Sequence, residues 1–304
     1  MAILTTSADT TSVGNVWYNS TINRLQFSYC GGVWSSGGAL ITARNSLAGA
    51  GTQNAGLAFG GNDFSTEVSC TEEYNGSTWS TCGALINGRS LLAGAGTQTA
   101  GLAFGGFVSP ANVSYTEEYD GSLWVSCGAL ITSRSELAGV GTQNAGLAFG
   151  GSAFPAVLSC TEEYNGSSWC TGGNLSTARY NLAGAGTQNA GLAFGGTPTF
   201  SCTEEYNGTS WCTGGNLSTP RYNLAGAGTQ NAGLAFGGYY SGAESCTEEY
   251  NGTSWSVGGA LSTARQSLAG AGEQNAGLAF GGDTFPVPVS STEEYNVGIQ
   301  TCTP

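Results

Sequence analysis

Apolar positions along this chain fall in short runs of small side chains, each cut off by glycine or by a polar turn. In the stretch LAGAGTQNAGLAFGG two such runs flank the polar triplet TQN. A third run, TEEY, alternates polar and bulky residues ahead of an Asn-Gly pair and a tryptophan. Runs this short, with turn residues at both ends, predict β-strands joined by tight connections. A helical reading would need apolar faces at helical spacing, and glycine at this density would destabilise such helices. The expectation is an all-β chain.

The pattern recurs. The Gly pair that ends LAFGG stands at Gly60/Gly61, Gly105/Gly106, Gly150/Gly151, Gly195/Gly196, Gly237/Gly238 and Gly281/Gly282, at intervals of 45, 45, 45, 42 and 44 residues. Between these pairs a Tyr is followed five residues later by a Trp: Tyr74/Trp79, Tyr119/Trp124, Tyr164/Trp169, Tyr206/Trp211 and Tyr250/Trp255. Counting Trp34, every Trp of the pattern is followed ten residues on by an Arg, at positions 44, 89, 134, 179, 221 and 265. Each of the six units reads as four short strands, the content of one β-propeller blade. In residues 169–206, WCTGG is an outer strand, NLSTARY a connector, NLAGAG an inner strand, AGLAFGG a second strand and TEEY a third. Asn207-Gly208 opens the next hairpin, where a type I′ turn is expected because Asn-Gly supplies positive φ. A strand of Gly and Ala suits the innermost position, where strands crowd around an axis. A parallel β-helix usually has shorter rungs and fits less well.

A Gly pair, then a Tyr, then a Trp, with an Arg before the innermost strand, resembles the kelch signature. The resemblance covers roughly residues 25–300 and implies a six-bladed kelch-type β-propeller. Units reading TEEYNGTSW…GTQNAGLAFGG look like the kelch-type repeats found in structural proteins of tailed phages from aquatic bacteria. The segment VWYNSTINRLQFSYCGGVW is similar to a short hairpin module of phage structural proteins. Kelch-like propellers also carry copper-radical oxidases, whose His ligands this chain lacks.

Ring closure is expected to come from the N-terminus. The sixth copy has Thr292-Glu293-Glu294-Tyr295 but no Trp after it, whereas Trp34 stands five residues after Tyr29 with no LAFGG segment ahead of it. Residues Val33–Ser36 should therefore supply the outer strand of the sixth blade, since an unclosed ring leaves open strand edges. Either Leu25–Tyr29 or Thr292–Tyr295 completes that blade, and the other should lie outside the ring. The expected division is an N-terminal arm or hairpin over residues 1–24 and the propeller over 25–304.

Composition then narrows the functions. The chain has no His, and its seven basic residues are all Arg against 20 acids, for a net charge of −13. Nucleic acid, bound through clustered Lys and Arg, is not expected as a partner, and an anionic membrane surface is disfavoured for the same reason. Without His there is no Ser-His-Asp or Cys-His nucleophile and no His-ligated metal. No cofactor and no metal are expected. The first residues lack the basic and apolar regions of a secretory signal, and no apolar run is long enough to span a bilayer. The ten Cys are therefore read as buried free thiols, with cross-strand disulfides between Cys160 and Cys170 or Cys202 and Cys212 as the other reading. Of each Glu pair in TEEY, alternation along the strand sends one toward a repeat Arg and the other toward solvent. Sixfold repetition argues against catalysis by these Glu, against Ca²⁺ binding, and against a sialidase-like cluster of the Arg. The Asn-Gly-Ser/Thr triplets at Asn75, Asn165, Asn207 and Asn251 match a glycosylation pattern but are read as hairpin turns.

The six copies differ most between the second and third strands. These loops gather on one face together with the Arg-bearing connectors, and each carries an aromatic: Phe64, Phe107, Phe154, Phe200, Tyr239 with Tyr240, and Phe285. Five of the seven Pro lie there too. Such side chains either bind a partner, since rigid aromatics bury much area at little entropic cost, or fold back to fill gaps between blades. The TQN turns lie on the opposite face, where Gln53, Gln143 and Gln230 are expected to matter less. The implied function is non-enzymatic: a virion structural or adhesion protein, a tail, fibre or decoration component made in the host cytoplasm. It would bind other virion proteins or a host surface receptor, protein or glycan, with room for a homo-oligomer in the virion. An intracellular kelch-type adaptor and a glycan-active enzyme are the competing readings.

Overall fold

The computed structural model describes residues 31–198 and 200–297, and the backbone alone of 16–19, 24–27 and 300–302. Six four-stranded antiparallel sheets stand around one axis, and in the first five the strands run from inner to outer in chain order. Blade 1 is Ala48–Thr52, Ala55–Phe59, Thr71–Tyr74 and Trp79–Cys82. Blades 2 to 5 repeat it over 93–126, 138–171, 183–213 and 225–257. Blade 6 joins Ala269–Glu273, Ala276–Phe280 and Thr292–Asn296 to the early strand Val33–Ser36, with Trp34 opposite Tyr295.

Thr292–Asn296 thus keeps the third position of blade 6, and Val33–Ser36 closes the ring as expected. The strand Arg24–Phe27 lies in a separate three-stranded sheet, between Val16–Asn19 and Gln300–Cys302. The expected division between residues 24 and 25 falls inside that strand, and the small sheet draws on both ends of the chain. Tyr29 lies outside the described residues.

The inner strands explain their own composition. A Cβ on Gly49 would stand 2.6 Å from the Phe280 ring and 2.9 Å from the Gly270 carbonyl, so neighbouring blades leave no room for a side chain. Just past the second strand of the same hairpin, Gly60 and Gly61 turn the chain away with φ of 65° and 105°, a region open mainly to glycine.

The core is six copies of one seam. In the first, Ala58, Tyr74 and Trp79 of blade 1 meet Ala269, Ala271, Leu278 and Phe280 of blade 6 under Leu40 and Leu47 of the connector. Each outer-strand Trp packs on the Phe of the preceding blade, as in Trp79 on Phe280 at 5.0 Å between centroids. Its indole donates to a Thr hydroxyl of that same blade, Trp79 Nε1 to Thr292 Oγ1 at 2.9 Å. Trp34, from the other end of the chain, makes the same two contacts with Phe236 and Thr247. Such aromatic pairs are worth about 1 kcal/mol each beyond the area they bury.

Polar links follow the same sixfold rule. The first Glu of every TEEY pairs with the connector Arg, as Arg134 Nη2 with Glu162 Oε1 at 2.8 Å, both buried. Glu162 also accepts from the backbone N–H of Ile131 and Thr132, which pins the connector over its blade. The second Glu does not turn to solvent. It accepts the Tyr hydroxyl of the following blade, as Tyr119 to Glu73 at 2.8 Å and Tyr164 to Glu118 at 2.7 Å. Tyr74 closes this circle on Glu294. Both faces of each blade pack on a neighbour, so alternation carries the second Glu, with the Thr of the same strand, into the next seam, where the phenol awaits an acceptor.

The turns add a seam contact and a correction. The TQN glutamines hold the neighbouring blade: Gln143 Nε2 donates to the carbonyls of Gly101 and Tyr119 in the preceding blade, and Gln53 does the same to Gly277 and Tyr295. Exposed backbone ends of a neighbouring sheet need donors, and the turn Gln supplies them. The Asn-Gly hairpins span four residues and are not type I′. Asn75 Oδ1 accepts from the backbone N–H of Ser77 and Thr78, and positive φ falls on Gly76 alone.

Eight Cys lie among the described residues and all are unpaired, six half-buried and two, Cys170 and Cys212, exposed. None is fully buried, contrary to expectation, because the outer strands that carry several of them face water. Cys170 sits opposite Glu163, out of register with Cys160.

Candidate functional site

The six variable loops and the six connectors share one face, as expected. At its base each loop is stitched to a connector by a β-bridge: Asn45 with Asn62, Ser90 with Phe107, Ser135 with Ser152, Tyr180 with Thr197, Tyr222 with Tyr239, and Gln266 with Asp283. The loops are thus anchored at the root and free at the tip. In blades 2 and 3 the tips form miniature hairpins, Phe107–Val108 with Ala111–Asn112 and Ser152–Ala153 with Ala156–Val157. The Asn112 amide reaches across to the Ser152 carbonyl at 2.8 Å.

The seven aromatics chosen from the sequence divide. Phe154, Phe285, Phe64 and Tyr240 stand 89%, 76%, 69% and 53% exposed, whereas Phe107, Phe200 and Tyr239 are half-buried. Phe64 and Phe285 are held at positive φ, 86° and 36°, where a bulky residue is strained. The backbone N–H of each is fixed by a side chain two residues earlier, Asn62 Oδ1 for Phe64 and Asp283 Oδ1 for Phe285.

These aromatics do not form one surface. Phe107 and Phe154, with Pro110, line a groove of about 450 Å³ between blades 2 and 3. Phe200 lies 5.7 Å from Tyr240 and 5.8 Å from Tyr222, and Tyr222 lies 5.5 Å from Tyr239. Phe64 and Phe285 stand on the loops of blades 1 and 6.

Tyr222 belongs to a set that the sequence reading passed over. Where each connector enters its inner strand, Ser46, Leu91, Glu136, Asn181, Asn223 and Ser267 all take φ between 52° and 57°. Their backbones form a closed circle about the axis. Leu91 N–H donates to the Ser46 carbonyl, Glu136 to Leu91, Asn181 to Glu136, Asn223 to Asn181, Ser267 to Asn223, and Ser46 to Ser267, at 2.8 to 3.0 Å. Left-handed backbone costs a non-glycine residue on the order of 1 kcal/mol, and two ring bonds per residue hold it there. The circle uses only backbone, so its side chains vary freely at the axial mouth. The signal was present in the sequence: the dipeptide after each Arg reads NS, SL, SE, YN, YN and QS, as varied as the loops.

Two small cavities lie along the axis. A cavity of about 110 Å³ lies at the mouth within this circle, and another of about 120 Å³ lies among the inner strands. Small-molecule sites typically run to about 300–1,000 Å³, larger than either of these cavities.

Charge on the face is one-sided. All six repeat Arg are fully buried and paired to Glu, so they do not converge on an open site. Burial pulls the Arg134 and Arg179 guanidiniums below their usual pKa, while the neighbouring Cys and Glu push back. Glu136 is the carboxylate of the axial circle. Burial raises its pKa, and the Asn181 amide donates to it at 3.4 Å. Asp283 accepts from Asn45 at 2.9 Å and from Gln266 at 3.1 Å. Among the described residues no three His, Cys, Asp or Glu cluster as metal ligands, and no helix is long and apolar enough to cross a membrane.

No family model and no curated protein matches this chain. Among solved structures 431 chains match, and one of them, YjhT, superposes with a TM-score of 0.72 over 88% of this chain and 99% of its own. At 12% identity this likeness establishes the shared six-bladed β-propeller and nothing about activity.

Proposed function

We propose that this chain is a non-enzymatic recognition protein, a kelch-type propeller serving as a structural or adhesion component of a tailed-phage virion. Its loop face docks to a host-surface receptor or to another virion protein. One observation carries the recognition reading: the sixfold repeat breaks down at one end of the molecule, and that end exposes Phe64, Phe154, Tyr240 and Phe285 to water. Large exposed aromatics on anchored loops are the anchors that interfaces use. The small axial cavities and the engagement of all twelve TEEY carboxylates in links between strands and blades leave no evident acid–base pair for catalysis. The virion placement rests on the likeness of the TEEYNGTSW…GTQNAGLAFGG units to phage repeats.

Replacing Phe154, Tyr239, Tyr240 and Phe285 together by Ser should weaken attachment of the isolated propeller to host cells or purified particles by about a hundredfold or more, with circular dichroism unchanged. Attachment that survives the quadruple replacement sinks the face assignment. Mass spectrometry of purified particles tests the virion placement, and absence of this chain from them overturns it.

A further inference from the structure

We propose that the tyrosine-rich sector over blades 4 and 5 is a binding subsite for a neutral oligosaccharide. The inference rests on the recognition reading above and names the ligand class. Four rings meet there at centroid distances of 5.5 to 5.8 Å, tilted by 45° to 73° to one another. None lies flat on its neighbour, the other three rings are half-buried, and Tyr240 is more than half exposed. Tyr222 is the centre of the group, touching both Phe200 and Tyr239. A pyranose ring offers C–H faces to such rings and hydroxyls to whatever surrounds them. A Tyr is matched to this, having an apolar body and a polar tip.

The polar groups beside the rings are amides. Tyr180-Asn181 and Tyr222-Asn223 are the same dipeptide one blade apart, both placing Asn in the axial circle. A carboxamide donates and accepts at once, as a sugar hydroxyl requires. Two equal Tyr-Asn units side by side suit a ligand that itself repeats.

Charge excludes the competing ligands. The chain has no Lys and no His, six Arg are buried in ion pairs, and the seventh, Arg24, belongs to the separate small sheet. An anionic glycan, a phosphate or a sulfate therefore meets no free cation among the described residues of this face. A cationic peptide would seek carboxylates, but Asp63 and Glu67 sit on the blade 1 loop across the ring, Asp283 on the neighbouring blade 6 loop is engaged by Asn45 and Gln266, and Glu136 in the axial circle is engaged by Asn181. In the tyrosine sector Glu244 is the one loop carboxylate.

The test is calorimetric titration of the full chain with neutral oligomers of glucose, mannose, galactose and N-acetylglucosamine, alongside oligosialic acid, a heparin fragment and an oligolysine peptide. At least one neutral oligomer should bind, and Tyr240→Ala and Asn223→Ala should each weaken it about tenfold. Phe64→Ala, across the ring, should change it less than about twofold. Tyr240 is exposed at a loop tip, so its variant keeps the fold and the melting temperature reports this. Binding of oligolysine or of an anionic glycan in place of the neutral ones overturns the proposal, as does neutral binding indifferent to Tyr240. If no neutral oligomer binds while the quadruple aromatic variant still loses attachment, the subsite fails and the recognition reading stands. A neutral oligomer that binds at Tyr240 in a protein whose attachment ignores the quadruple variant supports the subsite and sinks the recognition reading.

Discussion

The seams between blades and the loops above them come from the same chain at the same period, yet one is repeated almost unchanged and the other hardly at all. In the seams each residue touches two blades. Trp124 packs on Phe59 and bonds Thr71, Tyr119 bonds Glu73, and Gln98 bonds the carbonyls of Gly56 and Tyr74. A change at any of these disturbs two sheets, and a sixfold ring multiplies the requirement. A loop tip such as Phe154 touches little and is free to change. The axial circle shows that position alone does not decide this. Leu91 and Glu136 occupy equivalent sites near the centre, and they differ because the backbone makes the contact there and the side chain does not. Repetition marks where side chains hold the fold, and variation marks where they are left for other uses.

The strongest way to break the seams is to open the ring. Removing residues 1–36 takes away the outer strand of blade 6 and the Trp34 contacts, leaving an unpaired edge. Aggregation, or a fall in Tm of about 10 °C or more, is expected by calorimetry and light scattering. A monomer with unchanged Tm would show that the ring closes without this strand.

Cutting one buried link should cost less. Arg134→Met strands Glu162 inside blade 3 and should lower stability by about 3–5 kcal/mol in urea titration. Arg134→Met with Glu162→Leu should recover part of that. Equal losses in the single and double variants would mean that the pair is not the source.

The tyrosine links predict a pH dependence. Burial first, then the bonded Glu, push the hydroxyls of Tyr74, Tyr206 and Tyr250 up to about 12 from an ordinary value near 10. The folded state therefore holds these protons more tightly than the unfolded state. Their contribution is complete below about pH 10 and is lost as pH rises through about 12. Thermal melts should decline steeply over that window, with tyrosinate absorbance at 295 nm rising only as the protein unfolds. Early ionisation of all the tyrosines in intact protein would contradict the links.

The mildest test sets the two faces side by side. Gln143→Ala removes two donors to the neighbouring blade and should cost about 1–2 kcal/mol. Phe285→Ser, at an exposed tip, should stay within about 0.5 kcal/mol. The reverse ranking, read from denaturant midpoints, would mean that the loops carry the scaffold.

Much of the ring was legible in the sequence, because a blade is short and its punctuation is local. Gly pairs, Asn-Gly turns and the Tyr-to-Trp spacing placed four strands in every unit, and the one missing Trp pointed to Val33–Ser36. Partners outside the strand were less legible. Alternation did separate the two Glu of each pair, but the sequence assigned the second to solvent, whereas its face of the sheet is covered by the next blade and meets a phenol there. The seam role of the turn glutamines was not legible, because nothing local shows that two carbonyls of another sheet lie within reach. The aromatics were found one by one, but their division into a groove on blades 2 and 3 and a cluster on blades 4 and 5 was not.

The sequence alone determined the number of blades, the order of strands and the face on which the copies diverge. Each of these follows from the spacing of residues within one unit, and local chemistry sets that spacing. Only the tertiary structure decided which blade each polar side chain serves, that the axial circle is closed by backbone, and that Tyr222 joins Phe200 and Tyr239. Those contacts link residues from different units or different elements, and ring closure brings them together at distances that no local pattern encodes.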